Sequence, residues 1–144
     1  MLNRRYLRIK TFQSLYAFWQ SDSGSAARIE KELFNGVDRT YDLYLSLMLV
    51  FGELRHIAEL RIEERKKKQL PTENDLNPNQ RFVEHPILRK IATSERLRLE
   101  AEKRKVSWVG DHALFTALYK EVENHQIVTD YMKEPPLGFK RDQG

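Results

Sequence analysis

The chain has 144 residues, with 25 Lys and Arg against 21 Asp and Glu for a formal net charge of +4. That length is near one domain and leaves room for a core, while the absence of cysteine excludes disulfide frameworks and thiolate metal sites and points to the cytoplasm. Few glycines, five prolines and long Leu/Glu/Lys/Arg stretches favour helix, and no Val/Ile/Thr run alternates with period two between turn residues, so no strand is expected.

A first helix is expected from about Asn3 to Trp19. Ile9, Phe12, Tyr16 and Trp19 recur at three-four spacing on one face, with Leu15 beside them. Arg5 and Arg8 fall on the same face and Arg4 on its edge, so the stripe begins as arginine and becomes aromatic. Phe12, Tyr16 and Trp19 are read as core, and Tyr6 as an exposed ring able to stack on a base. Positive charge at a helix N-terminus opposes the macrodipole at a cost of a few tenths to about 1 kcal/mol per charge. A sequence tuned only for stability would place Asp or Glu there, so the cluster suggests an anionic partner. The basic run from Met1 to Lys10 is followed by no clean apolar stretch or small-residue cleavage site, so no signal peptide is expected.

Ser21 to Ser25 reads as a turn and cap cluster. Beyond it Ile29, Leu33, Val37, Tyr41, Tyr44 and Met48 continue one periodic face, with Gly36 as a candidate bend or break. From Tyr41 to Phe51 only Asp42 and Ser46 interrupt the apolar residues. A helix apolar all round is buried on more than one side, so Tyr41 to Leu60 is expected to be a central rod with other helices around it. It is too interrupted to span a bilayer, which takes about 20 apolar residues. The helix should end in Glu63 to Lys68, ahead of Pro71.

Gln69 to Gln80 reads as a loop, after which Asn79 is placed to cap a short turn through Phe82 and Val83. Pro86 suits the first position of a helix whose buried face is Ile87, Leu88 and Ile91. Leu97, Leu99 and Ala101 follow Thr93-Ser94, which makes one bent helix or two. Ser107 or Asp111 caps the next helix, with Trp108 at the corner and Leu114, Phe115, Leu118, Tyr119 and Val122 on its face. Asn124-His125 is a candidate break before a terminal turn carrying Ile127, Tyr131 and Met132, stopped by Pro135-Pro136.

The four histidines are scattered, and no His-Glu-x-x-His pair, glycine-rich phosphate loop or cysteine nucleophile occurs. Glu53-Leu54-Arg55-His56 has the Glu-x-x-His spacing of di-iron bundles, but such sites need a second copy and two further glutamates. Neither catalytic nor metal-ligating residues are assigned, and no cofactor is expected. Basic clusters stand at Arg4–Lys10, Arg65–Lys68, Lys103–Lys105 and Lys140–Arg141; the last three read as solvated helix ends.

Arg4-Arg5-Tyr6-Leu7-Arg8 and Gln13-Ser14-Leu15-Tyr16-Ala17-Phe18-Trp19-Gln20 resemble the opening helix of the transcription antitermination factor NusB family. That helix begins with an arginine cluster and continues into Gln-small-Leu-Tyr, an aromatic and a glutamine. Tyr6 departs from its more basic pattern. Tyr41-Asp42-Leu43-Tyr44, Leu76-Asn77-Pro78-Asn79 with Phe82, Lys105-Val106-Ser107-Trp108 and Tyr131-Met132 look like the N-terminal half of a long form of the family.

The resemblance implies an all-α fold that binds the boxA element of ribosomal RNA leaders, in a bacterial transcription elongation complex, together with the small-subunit ribosomal protein NusE. It assigns the RNA contact to Arg4, Arg5 and Arg8. The expected architecture is a helical bundle of about four main helices around the long central one. Residues 1–134 form the helical domain, and 135–144 form a tail that looks like the start of a second helical subdomain. No membrane partner is expected, and apolar surface left by an incomplete bundle leaves room for a homo-oligomer.

Overall fold

In the computed structural model, residues 3–21 and 25–133 are described. All regular structure among them is helical: α1 (Arg4–Gln20), α2 (Ala26–Lys66), α3 (Glu73–Leu76), α4 (Pro86–Ala92), α5 (Glu95–Arg104), α6 (His112–Asn124) and α7 (Gln126–Lys133). Four of these have ten residues or more, which matches the expected number of main helices; the other three are short. The chain divides into two compact units, Met1–Leu45 and Ser46–Gly144, and α2 contributes residues to both.

Local chemistry accounts for the helix ends. The Asn3 side chain accepts from the Tyr6 N–H at 2.8 Å and opens α1, satisfying one of the orphan donors of the first turn. Ser21 closes it, its N–H returning to the Phe18 carbonyl. The rest of the expected Ser21–Ser25 turn, residues 22–24, lies outside the described residues, as do Pro135-Pro136 and the 135–144 tail. Gly36 does not break α2, which continues for 41 residues to a last turn carrying Arg65 and Lys66. Pro86 takes the first turn of α4, Ser94 caps α5, and α4 and α5 are two helices. Lys105 ends α5 with φ 57°, in the left-handed region. Asn124-His125 is the break between α6 and α7, with His125 at the helix end.

The Gln69–Gln80 loop contains one helical turn that periodicity could not reveal. Thr72 and Asp75 cap it reciprocally: the Asp75 N–H meets the Thr72 hydroxyl, and the Thr72 N–H meets the Asp75 carboxylate at 3.1 Å. The carboxylate also takes the Thr72 hydroxyl at 2.9 Å and the Lys68 ammonium at 3.1 Å. Backbone hydrogen bonding from Thr72, reinforced by Lys68, holds its pKa below the ordinary 3.8.

The core sits in the second unit. Leu54, Ile57 and Phe115 are buried, with Val50, Leu60, Phe82, Trp108, Tyr119 and Val122 packed against them. Trp108 anchors the corner before α6, donating its indole N–H to the Ser46 carbonyl at 2.9 Å and meeting Phe115 edge-on at 5.4 Å. Glu123 of α6 accepts from Arg61 at 2.7 Å and Arg65 at 3.2 Å, and the Arg61 guanidinium lies 5.1 Å from the Tyr119 ring centre. Burial chiefly, with the Glu123 carboxylate, pushes the Tyr119 phenol up from 10.0.

Several side chains expected inside lie at the surface. Leu43, Tyr44 and Leu47 are about half exposed, so α2 is not wrapped on all sides: its buried set narrows to Leu45, Leu54, Ile57 and Ala58. Ile87, Leu99, Leu114 and Ile127 are also exposed, and Leu88, Ile91, Leu97, Ala101 and Phe115 supply the inward faces of those helices. The periodic face of each helix is wider than the strip its neighbours cover.

Candidate nucleic-acid interface

The first unit carries the basic site. Helix α1 has Arg4, Arg5, Arg8 and Lys10 and no carboxylate. Its half-buried residues are Tyr6, Lys10 and Ser14, four apart, on the side where the Tyr6 hydroxyl lies 3.0 Å from the Thr40 hydroxyl of α2. Thr40 also donates to the Gly36 carbonyl at 2.9 Å. Ile29, Leu33, Gly36, Val37 and Thr40 of α2 are half-buried as well. At 100° per residue, the Arg5–Arg8–Phe12–Tyr16–Trp19 stripe lies roughly opposite the Tyr6 side.

This orientation overturns two expectations. Phe12, Tyr16 and Trp19 are not core: they are 70%, 59% and 86% exposed. The Tyr6–Lys10–Ser14 side is the less exposed one and is tied to α2 by the Tyr6–Thr40 hydroxyl contact, while the aromatic side is left outward. Tyr6, in turn, is not a free stacking platform. It is half-buried, its hydroxyl is engaged, and the Lys10 ammonium sits 5.7 Å from its ring centre.

Arg4, Arg5 and Arg8 are all exposed, and none is paired with a carboxylate among the described residues. They occupy the first two turns of α1, within about 6 Å along the axis. Three guanidiniums that close, on a helix with no acid, form a local positive field suited to phosphate, which Arg binds through a bidentate fork. The other basic clusters are partly neutralised. Arg65 pairs with Glu123 and Lys68 with Asp75, while Lys66, Lys67, Lys103 and Lys105 stand exposed at helix ends. Lys140–Arg141 lies outside the described residues.

The second unit holds a groove of about 640 Å³ whose lining includes Met48, Gly52, His56, Leu97, Ala101 and Trp108. Sequence reasoning missed it. Its signal is a pair of small residues: a Cβ built on Gly52 would lie 4.0 Å from the Ala92 Cα, so Gly52 meets α4 backbone closely. Glu53 and His56 both line this groove, yet among the described residues no three His, Asp or Glu side chains are placed to share a metal ion. Among the described residues no helix is long and apolar enough to cross a membrane. Set against known proteins, the chain matches no family model, no curated protein and no solved structure.

Proposed function

We propose that this chain is an RNA-binding transcription antitermination factor of the NusB type. It acts by binding and not by catalysis, in a bacterial cytoplasm, on the boxA-like leader of ribosomal RNA, with the ribosomal protein NusE and the elongation complex as partners. The observation that carries the reading is the trio Arg4, Arg5 and Arg8, exposed and without carboxylate partners among the described residues, at the start of an acid-free helix. Unpaired guanidiniums that strain against a helix dipole gain most when a phosphate arrives. The family resemblance of the same segment supplies the RNA.

The test is a fluorescence titration against a boxA-containing RNA and a scrambled RNA of equal length, at low and physiological salt. A preference for boxA that survives the higher salt is the expected result. Each phosphate contact to single-stranded RNA contributes about −0.7 to the slope of log K against log salt. The Arg5→Ala, Arg8→Ala double variant should therefore flatten that slope by roughly 1.4. Unchanged binding by the double variant removes the arginine assignment. Equal, salt-sensitive binding to both RNAs reduces the site to a basic surface.

A second reading, a helical protein-interaction module without direct RNA binding, is favoured by the outward aromatic stripe of α1. RNA binding that is absent in both titrations, together with a mass that rises with concentration, selects it.

A further inference from the structure

Most of the charge lining the groove of the second unit is cancelled in pairs. Arg55 meets Glu59 at 2.8 Å and also donates to the Val83 carbonyl at 2.9 Å, and Arg98 meets Glu102 at 2.8 Å. The charged side chains left over are Glu53 and Lys105, which line the groove with no hydrogen-bond or ionic partner among the described residues. Lys105 is unusual in its backbone as well. Among the described residues it alone, glycine apart, has a positive φ, 57°. It ends α5 in the left-handed region, where a Cβ is crowded and helices commonly place glycine. Glycine would suit that backbone better, so a lysine there points to a task for its side chain. Strained backbone of this kind gathers at binding sites. Glu53, by contrast, sits in ordinary helical backbone inside α2.

We infer that this groove binds a small amphipathic carboxylate, with its apolar body on the groove lining and its anionic head on the Lys105 ammonium. Met48, Leu49, Leu97, Val106 and Trp108 supply the apolar contact. The site is largely formed in advance: the Trp108 indole is held by the Ser46 carbonyl at 2.9 Å, and Ala101 is buried. Its volume, about 640 Å³, falls within the range of roughly 300–1,000 Å³ typical of small-molecule sites. An apolar lining with one unpaired cation favours an acid over a neutral molecule, because an ion pair to a charged donor is about twice as strong as a neutral hydrogen bond. A protein helix laid along the groove fits less well. It would draw the exposed Arg98–Glu102 pair out of water, at a desolvation cost that a small ligand avoids. The inference goes beyond the RNA reading and does not depend on it.

Octanoate is the probe, with octan-1-ol and octylammonium as controls of equal chain length. The full chain carries Trp19→Phe, an exposed position, so that Trp108 is the only tryptophan left to report. Octanoate should change the Trp108 emission saturably and raise the melting temperature by mass action. Octan-1-ol and octylammonium should bind about ten-fold or more weakly, for want of the charge-assisted contact. Lys105→Gly should weaken octanoate binding by a similar factor, while its ligand-free melting temperature stays level or rises because the backbone is relieved. Lys105→Arg, which keeps the cation, should keep the binding. Several results overturn the inference. They are the absence of a saturable octanoate response and octanoate binding undiminished in Lys105→Gly. Octylammonium binding as tight as octanoate also overturns it, and gives the groove to Glu53 and a cationic ligand. So does a lower ligand-free melting temperature in Lys105→Gly, since the lysine would then serve the fold itself.

Discussion

Phe115 and Asp75 show how differently two buried side chains hold a helix in place. Phe115 is 2% exposed and touches the Leu54–Ile57 cluster and the Trp108 ring. Truncating it leaves a void that close-packed neighbours fill only in part, so Phe115→Ala should cost about 3–5 kcal/mol in denaturant unfolding. Asp75 instead works through its charge. Its folded pKa lies below 3.8, because the Thr72 N–H and the Lys68 ammonium favour the carboxylate. As pH falls, the unfolded chain takes up the proton first, so the stabilisation present above the ordinary pKa is lost as pH drops through the depressed one. The melting temperature of the wild type should exceed that of Asp75→Asn at neutral pH, and the gap should close in acid. A gap of constant width from pH 7 to pH 2 would contradict the assignment. At the other end of the scale, the raised pKa of Tyr119 predicts stability lost above pH 10, where the unfolded phenol ionises before the folded one.

Helices α1 and α2 were legible in outline because their signals are local. Asn3, Pro86, Ser94 and the Asn124-His125 break mark ends through side-chain hydrogen bonds or ring constraints that sequence carries directly. What sequence did not carry is which side of an amphipathic helix meets its neighbour. On α1 the aromatic stripe is the stronger periodic signal, yet the Tyr6–Thr40 contact turns the other side inward. That outcome depends on a residue 34 positions away, which no local window contains. The α3 turn was missed for another reason: four residues are too few for periodicity, and only the Thr72–Asp75 capping pair announces it. The arginine trio was legible as a cluster, but that it has no carboxylate partner among the described residues became visible only in three dimensions. Gly36 gives the element scale its prediction. A Cβ there meets nothing within 4 Å, and the residue is helical. Gly36→Ala should therefore stabilise the chain by up to about 1 kcal/mol, through lower unfolded-state entropy and better helix propensity, read as a higher denaturant midpoint at unchanged slope.

Across the whole molecule, buried side chains are unevenly shared. Leu54, Ile57, Ala58, Val83, Ala101 and Phe115 all belong to the Ser46–Gly144 unit, and Leu45 is the buried apolar residue of the described part of Met1–Leu45. Helical stability in proteins comes mostly from the packing of an apolar face. Amides of α1 and of residues 26–44 should accordingly exchange with solvent at lower opening free energy than those of residues 50–60 and of α6. Hydrogen exchange read by mass spectrometry checks this, and equal protection in both units would refute it.

The two tryptophans sit in opposite surroundings, and the molecule thereby carries two optical reporters. Trp108 is half-buried, hydrogen-bonded and edge-on to Phe115, whereas Trp19 is 86% exposed near the C-terminal end of α1. Iodide should quench the red-shifted emission of the solvent-open Trp19 and leave the bluer emission of Trp108. One cuvette can then separate what happens on the surface of α1 from what happens in the core, since loss of iodide access marks a ligand or second copy and a red shift of the protected component marks unfolding.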